Sequence, residues 1–127
     1  MVMWHKAIKR KLSGGKTRRN RDKRKSERGR APSHTKVSDK DVVRKIRVRS
    51  GNSKLRALNL SIANVLDPKT NKVTKAKIKK VIENRASRHF ARMAVITKGA
   101  VLDTDAGKAR VTNRPGQEGT IHAVLIE

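Results

Sequence analysis

Residues 75–94, KAKIKKVIENRASRHFARMA, decide what kind of fold this chain can have. Ile78, Val81, Ile82, Ala86, His89, Phe90 and Met93 recur at the spacing of an amphipathic helix. The same letters also allow a strand through Ala76, Ile78 and Lys80 that flips register near Val81, followed by a short helix from Ala86 to about Met93. Periodicity alone favours the long helix by a narrow margin.

The flanks are written in a period of two. Val43, Lys45, Arg47 and Arg49 alternate with Val42, Arg44, Ile46 and Val48, which sets basic side chains on one face beside apolar ones. Ser50-Gly51-Asn52 suits a turn with positive φ, and Leu58, Leu60 and Ile62 alternate beyond it. DPKTNK at 67–72 is a second turn. Val101 and Asp103 run into a tight turn at Ala106-Gly107, residues 109–112 form the return, and Pro115-Gly116 with Gly119 separates these from residues 120–126. Short strands punctuated about every ten residues predict a mainly β body, a small barrel or sandwich, over residues 37–127.

Charge identifies the class of partner. The 127 residues hold 34 Lys and Arg against 10 Asp and Glu, a formal net charge of +24. Such an excess is the electrostatic footprint of nucleic-acid binding. No cysteine is present, so disulfides, thiolate zinc sites and thiol nucleophiles are excluded. Apolar runs are too short to span a membrane, and the first residues lack the apolar core of a signal peptide, so a cytoplasmic protein is expected. In residues 1–36 only Asp22 and Glu27 oppose the basic residues, and residues 13–36 contain no large apolar side chain. That segment reads as an extended basic arm, disordered without a polyanion, because it cannot bury enough surface to offset the entropy of ordering.

Several site motifs fail on inspection. Gly15-Lys16-Thr17 looks like the end of a phosphate loop, but the required first glycine would be position 10, which is Arg10. Gly14-Gly15 reads instead as a bend that lets the backbone approach a phosphate ribbon. Asp103, Asp105 and Glu118 resemble a metal-binding acidic cluster, yet Asp103-Thr-Asp-Ala-Gly107 reads better as a polar hairpin turn. The histidines at 5, 34, 89 and 122 lack ligand spacing. No catalytic residue, metal, cofactor or small-molecule substrate is expected.

The basic sets remain. Arg18, Arg19, Arg21, Lys23, Arg24 and Lys25 lie within eight residues, continued by Arg28 and Arg30; Arg44, Lys45, Arg47, Arg49, Lys54 and Arg56 flank the Ser50-Gly51-Asn52 turn. Together they imply one extended binding surface. Trp4 and Phe90 are the only aromatic side chains besides histidine, too few for a base-stacking platform, and no helix-turn-helix or zinc-finger pattern is visible. Contact to phosphates and 2′-hydroxyls of a fixed shape is what remains. Trp4 either stacks on one base or, with Ile8 and Leu12 at helical spacing, pins a short helix to an apolar patch. A chromatin-type DNA-compacting protein would share this charge, and a metal-dependent nucleic-acid enzyme would need Asp103 or Asp105.

One family joins these pieces. Lys11-Leu-Ser-Gly-Gly15, Asn20-Arg-Asp-Lys-Arg-Lys25 through Gly29-Arg30, Arg49-Ser-Gly-Asn52 with Lys54-Leu-Arg-Ala-Leu58, Ala63-Asn-Val-Leu-Asp-Pro68, Arg88-His-Phe-Ala-Arg92, Ile96-Thr-Lys-Gly-Ala100 and residues 109–117, ARVTNRPGQ, resemble the archaeal and eukaryotic type of small-subunit ribosomal protein eight. Nearly the whole chain is covered, and the length matches the archaeal form, without the insertion of eukaryotic members. The resemblance implies a small β-barrel with an extended basic N-terminal arm, set in 16S-type RNA of the small ribosomal subunit beside other subunit proteins. Because relatives often place a proline just after the position of Asn84, it also implies a strand near 73–82 and a short helix near 86–93. It adds Lys9, Arg10, Lys11, Gly14, Gly15, Lys16, Asn52, Arg88, Arg92 and Lys98 to the RNA-binding candidates. Ser26 and Arg28 depart from an aromatic and a large apolar residue, and Ser50 from a glycine.

Overall fold

Lys72–Glu83 is one long strand, not a helix. Its pairing shifts register between Ile78 and Lys80 and again between Val81 and Glu83. Ala76, Ile78 and Val81 therefore all reach the core although their spacing changes from two to three. An interval of three is what makes this stretch look helical in sequence; here it is the mark of a β-bulge.

The computed structural model describes residues 3–5, 10–18 and 21–126. Met1–Pro32 and Ser33–Glu127 are separate compact units. In the second unit the chain runs through β1 (Lys36–Val37), β2 (Val42–Arg47), β3 (Ser53–Leu60), β4 (Ile62–Asp67), β5 (Lys72–Glu83), α1 (Arg88–Arg92), β6 (Val101–Thr104), β7 (Gly107–Val111), α2 (Pro115–Glu118) and β8 (His122–Leu125). Strands β4 to β8 close into a barrel, and β1, β3 and β2 form a three-stranded sheet in the order β1-β3-β2. Neighbours in the barrel are antiparallel except β4 and β8, whose parallel pairing closes the ring. The fold is thus mainly β, as expected. Among the described residues no helix is long and apolar enough to cross a membrane.

Every barrel strand points alternate residues inward. Ala63 and Val65, Ala76 and Ile78, Leu102, Ala109 and Val111, and Ala123 are all buried. Small residues recur because a ring this narrow leaves room for few large side chains, and mixing alanine with Val, Ile and Leu fills its taper. Leu58, Leu60 and Ile62, expected as one strand, fall on two: β3 ends at Leu60 and β4 begins at Ile62. Asp41 Oδ1 accepts from both the backbone N–H of Ser61 (2.6 Å) and its hydroxyl (2.8 Å). Ser61 is thereby fixed where the chain passes from sheet to barrel. The turn after β4 is also side-chain built, since Asp67 accepts from the Lys69 N–H at 3.0 Å and the Thr70 hydroxyl at 2.9 Å. These bonds hold its carboxyl below the ordinary range.

Two positions carry more than their chemistry suggests. Ser50 (φ 60°) and Gly51 (φ 73°) both take left-handed backbone in the β2–β3 turn, the pattern of a type I′ hairpin connection. Glycine suits such a position; serine is strained there. Asn84 is buried just after β5. Its amide donates to the Val95 carbonyl at 3.0 Å, while its carbonyl oxygen accepts from the Ala86 N–H at 3.0 Å and the Thr97 hydroxyl at 2.9 Å. Ser87 then caps α1, accepting from the His89 N–H.

Asn84→Ala should therefore lower stability by about 2–3 kcal/mol, because the partners it leaves include buried backbone at Val95; an unchanged urea midpoint would show that the loop does not depend on this side chain. Ser50→Gly should raise the melting temperature by the equivalent of up to about 1 kcal/mol, the relief of left-handed strain less the added entropy of the unfolded chain.

Candidate nucleic-acid interface

The first unit, by itself, consists of short backbone pairings that leave its cations outside. Trp4 bridges Arg28 in antiparallel fashion, with the Gly29 N–H donating to the Met3 carbonyl at 2.6 Å and the His5 N–H to the Glu27 carbonyl at 2.8 Å. A 3-10 turn spans Lys25–Glu27. Glu27 accepts from the Arg21 guanidinium and, at 3.3 Å, from the Arg24 N–H. The Lys23 ammonium lies 5.3 Å from the centre of the Trp4 ring, so a cation already occupies one approach to that ring.

A second hairpin lies nearer the N-terminus. Arg10 bridges Lys16, the Lys11 N–H donates to the Gly15 carbonyl at 2.8 Å, and the Gly14 N–H to the Lys11 carbonyl at 2.9 Å. Gly14-Gly15 is thus the bend of a hairpin and not a phosphate loop opening a helix. Trp4 sits in an extended pairing and Leu12 in a fully exposed turn, so the two do not share a helical face as their spacing allows. Lys11, Lys16, Arg18, Arg21, Lys23, Arg24, Lys25, Arg28 and Arg30 are all exposed. Lys9 and Arg19, and Ile8 with them, lie outside the described residues.

The β2–β3 ribbon corrects one expectation. Arg44 pairs across the ribbon with Arg56, and Ile46 with Lys54; Lys45 pairs with Leu55, and Arg47 with Ser53. Directly opposed residues share a face and successive residues alternate. Arg44, Lys54 and Arg56 therefore occupy one face, and Lys45 and Arg47 the other. The expected single face from Arg44 to Arg56 is split in two. Leu55 and Val43, on the second face, lie against Gly119 at the end of α2; a methyl group on Gly119 would stand 2.8 Å from the Leu55 Cβ. Beyond that contact the second face is exposed at Lys45 and Arg47, while Arg49 and Asn52 sit at the turn.

Arg88, Arg92 and Lys98 lie off this ribbon. The two arginines are one turn apart on α1, and Lys98 is exposed in the turn before β6. The barrel carries a lysine row not expected as a site: Lys75, Lys77 and Lys79 alternate with buried Ala76 and Ile78 on β5. Its signal was legible once 72–83 is read as a strand. Part of it is answered within the fold, since Lys77 meets Asp39 at 3.7 Å, Lys79 meets Asp105 at 3.3 Å and Lys80 meets Asp103 at 4.0 Å. Asp103 and Asp105 thus flank the β6–β7 turn as counter-ions to lysine. Among the described residues no group of three His, Asp or Glu side chains could hold a metal ion.

Charge reversal separates the two ribbon faces. Arg44→Glu with Lys54→Glu, and independently Lys45→Glu with Arg47→Glu, should each weaken binding to structured RNA and flatten its salt dependence by about one unit of slope per lost contact. Footprinting should lose protection at different nucleotides in the two variants. If one pair is silent, only the other face is in contact.

Comparison with known proteins covers nearly the whole chain. The family described as Ribosomal protein S8e matches residues 4–126. The chain is 50% identical over 117 residues to the small ribosomal subunit protein eS8 of Sulfolobus acidocaldarius, covering 92% of this chain and 91% of that one. It is 43% identical over 126 residues to the protein of the same name from Methanococcus aeolicus, covering 99% and 98%. With that of Methanosphaera stadtmanae it shares 43% over 127 residues, the whole of both chains. The family match from Trp4 to Ile126, with identities of 43–50% over nearly the whole chain, makes this chain a member of the Ribosomal protein S8e family, whose members are structural proteins of the ribosome and not enzymes.

Proposed function

We propose that the protein is a structural constituent of the small ribosomal subunit in the cytoplasm, binding 16S-type ribosomal RNA through phosphate and shape contacts and touching neighbouring subunit proteins. The observation that carries this reading is the distribution of cations. Basic side chains are exposed along the first unit and stand on both faces of the β2–β3 ribbon, far in excess of the chain's carboxylates. The few aromatic rings argue against readout by stacked bases, so affinity comes from neutralising phosphate and specificity from RNA shape.

The binding surface comprises Trp4, the cations from Lys9 to Arg30 with Gly14-Gly15, the ribbon set from Arg44 to Arg56 with Asn52, and Arg88, Arg92 and Lys98. The ribbon docks on helical RNA. The arm of residues 1–36 takes its final shape as Arg and Lys displace mobile counterions, since its composition offers little apolar surface to fix it alone.

In a lysate fractionated by sucrose gradient at moderate salt, the chain should run in stoichiometric amount with the small subunit. Sedimentation with chromosomal DNA would favour a DNA-compacting role instead. With roughly six to ten phosphates neutralised, affinity for small-subunit RNA should fall about 10³- to 10⁵-fold between 50 and 200 mM salt.

A further inference from the structure

We infer that Leu12 is an apolar wedge that enters an opened base step of the bound RNA, presented at the tip of a cationic turn. This rests on the RNA-binding reading above and adds to it a contact that phosphate neutralisation does not supply.

Single exposed leucines are ordinary on protein surfaces. Leu12 differs in how it is held and in what surrounds it. Its relative exposure is 110%, more than its reference state, so the side chain projects entirely into solvent. The turn beneath it is fixed from both sides: Arg10 bridges Lys16, Lys11 N–H donates to the Gly15 carbonyl at 2.8 Å, and Gly14 N–H donates to the Lys11 carbonyl at 2.9 Å. The Arg10 guanidinium closes the clasp, donating to the Gly14 carbonyl at 2.9 Å. Gly14 takes φ +84° with open space around it, so the tip can reverse direction without a side chain that would blunt it.

Around the tip stand Arg10, Lys11 and Lys16, all exposed. These groups draw phosphate toward the turn, and a backbone seated on them brings a groove edge to the leucine. The arm as a whole takes its path from the RNA, but the hydrogen bonds of this one turn hold the backbone beside Leu12, so less freedom is lost there when the side chain is buried. Nucleic-acid binders use aliphatic side chains in this way, inserting them between partly unstacked bases. The aromatic side chains are poorly placed to do so, for Phe90 is half-buried with His34 edge-on at 5.3 Å and Trp4 is approached by Lys23.

The test compares full-length wild type with Leu12→Ala, Leu12→Lys and Leu12→Met on small-subunit RNA, by titration at several salt concentrations and by chemical probing of each base. A wedge predicts that Leu12→Ala and Leu12→Lys each bind about tenfold more weakly, the low end of what burial of a leucine supplies. Leu12→Met should bind like wild type, and one base step made reactive by wild type should become unreactive with Leu12→Ala. Equal or tighter binding by Leu12→Lys, with a steeper salt dependence, would show that the tip acts by charge alone and overturn the wedge. If wild type itself does not bind RNA, the underlying reading falls and the wedge with it.

Discussion

Barrel closure depends on β5 serving two neighbours in succession. Its first half, Lys72 to Lys77, pairs with β4, and its second half, Ile78 to Glu83, pairs with β6. A straight strand cannot turn from one partner to the other without twisting its inward side chains out of the core. The two register shifts on the β6 side absorb that rotation and keep Val81 inside. Once β5 is bent, the parallel pairing of β4 with β8 can complete the ring, and Leu102, Val65 and Val111 pack across a narrow interior. Asn84 continues the same logic where β5 ends, binding the next loop through its carbonyl oxygen and amide. The barrel is small because β5 makes it so, and its alanines follow from the size.

Electrostatics then divides the surface. A formal charge of +24 on so short a chain is self-repulsive, and repulsion is least costly where charges stand far apart in water. The barrel exterior reduces the problem locally by setting Asp39, Asp103 and Asp105 against lysines of β5. Such exposed pairs stabilise the fold little. Their consequence is local: they lower the positive field around the lysines of β5. Lys54 and Arg56 on β3 stand beside Arg44 on β2, with no carboxylate in either strand. A surface that keeps cations this close is suited to a polyanion.

How much of this was legible in the sequence depended on whether local pattern and tertiary demand agreed. The turns were readable because Gly, Asn, Asp and Pro state their conformations directly: Ser50-Gly51, Asp67 to Lys72 and the β6–β7 turn all fall where expected. β5 was not readable from period alone, because a bulge shifts the spacing of inward residues from two to three and imitates a helix. The break at Ser61 was hidden for a related reason. Leu58, Leu60 and Ile62 keep their alternation across it, and only Asp41, twenty residues earlier, marks the change of sheet. Charge was visible as an inventory, but its division between ribbon faces needed the register. Arg44↔Arg56 and Lys45↔Leu55 are facts about pairing that no composition contains.

That division bears on what kind of contact the ribbon makes. A strand pair with cations on one face can lie along a single RNA backbone. With cations on both faces, and Arg49 at the turn, direct contact with one smooth helix reaches only the face turned toward it, because side chains of opposite faces point in opposite directions. Two backbone segments, or one strand that folds around the turn, are needed. The type I′ turn suits this demand, since its twist matches the flanking strands and keeps them paired to the tip. Under the RNA-binding reading proposed above, the paired strands would set the separation of whichever two stretches of backbone lie against the two faces.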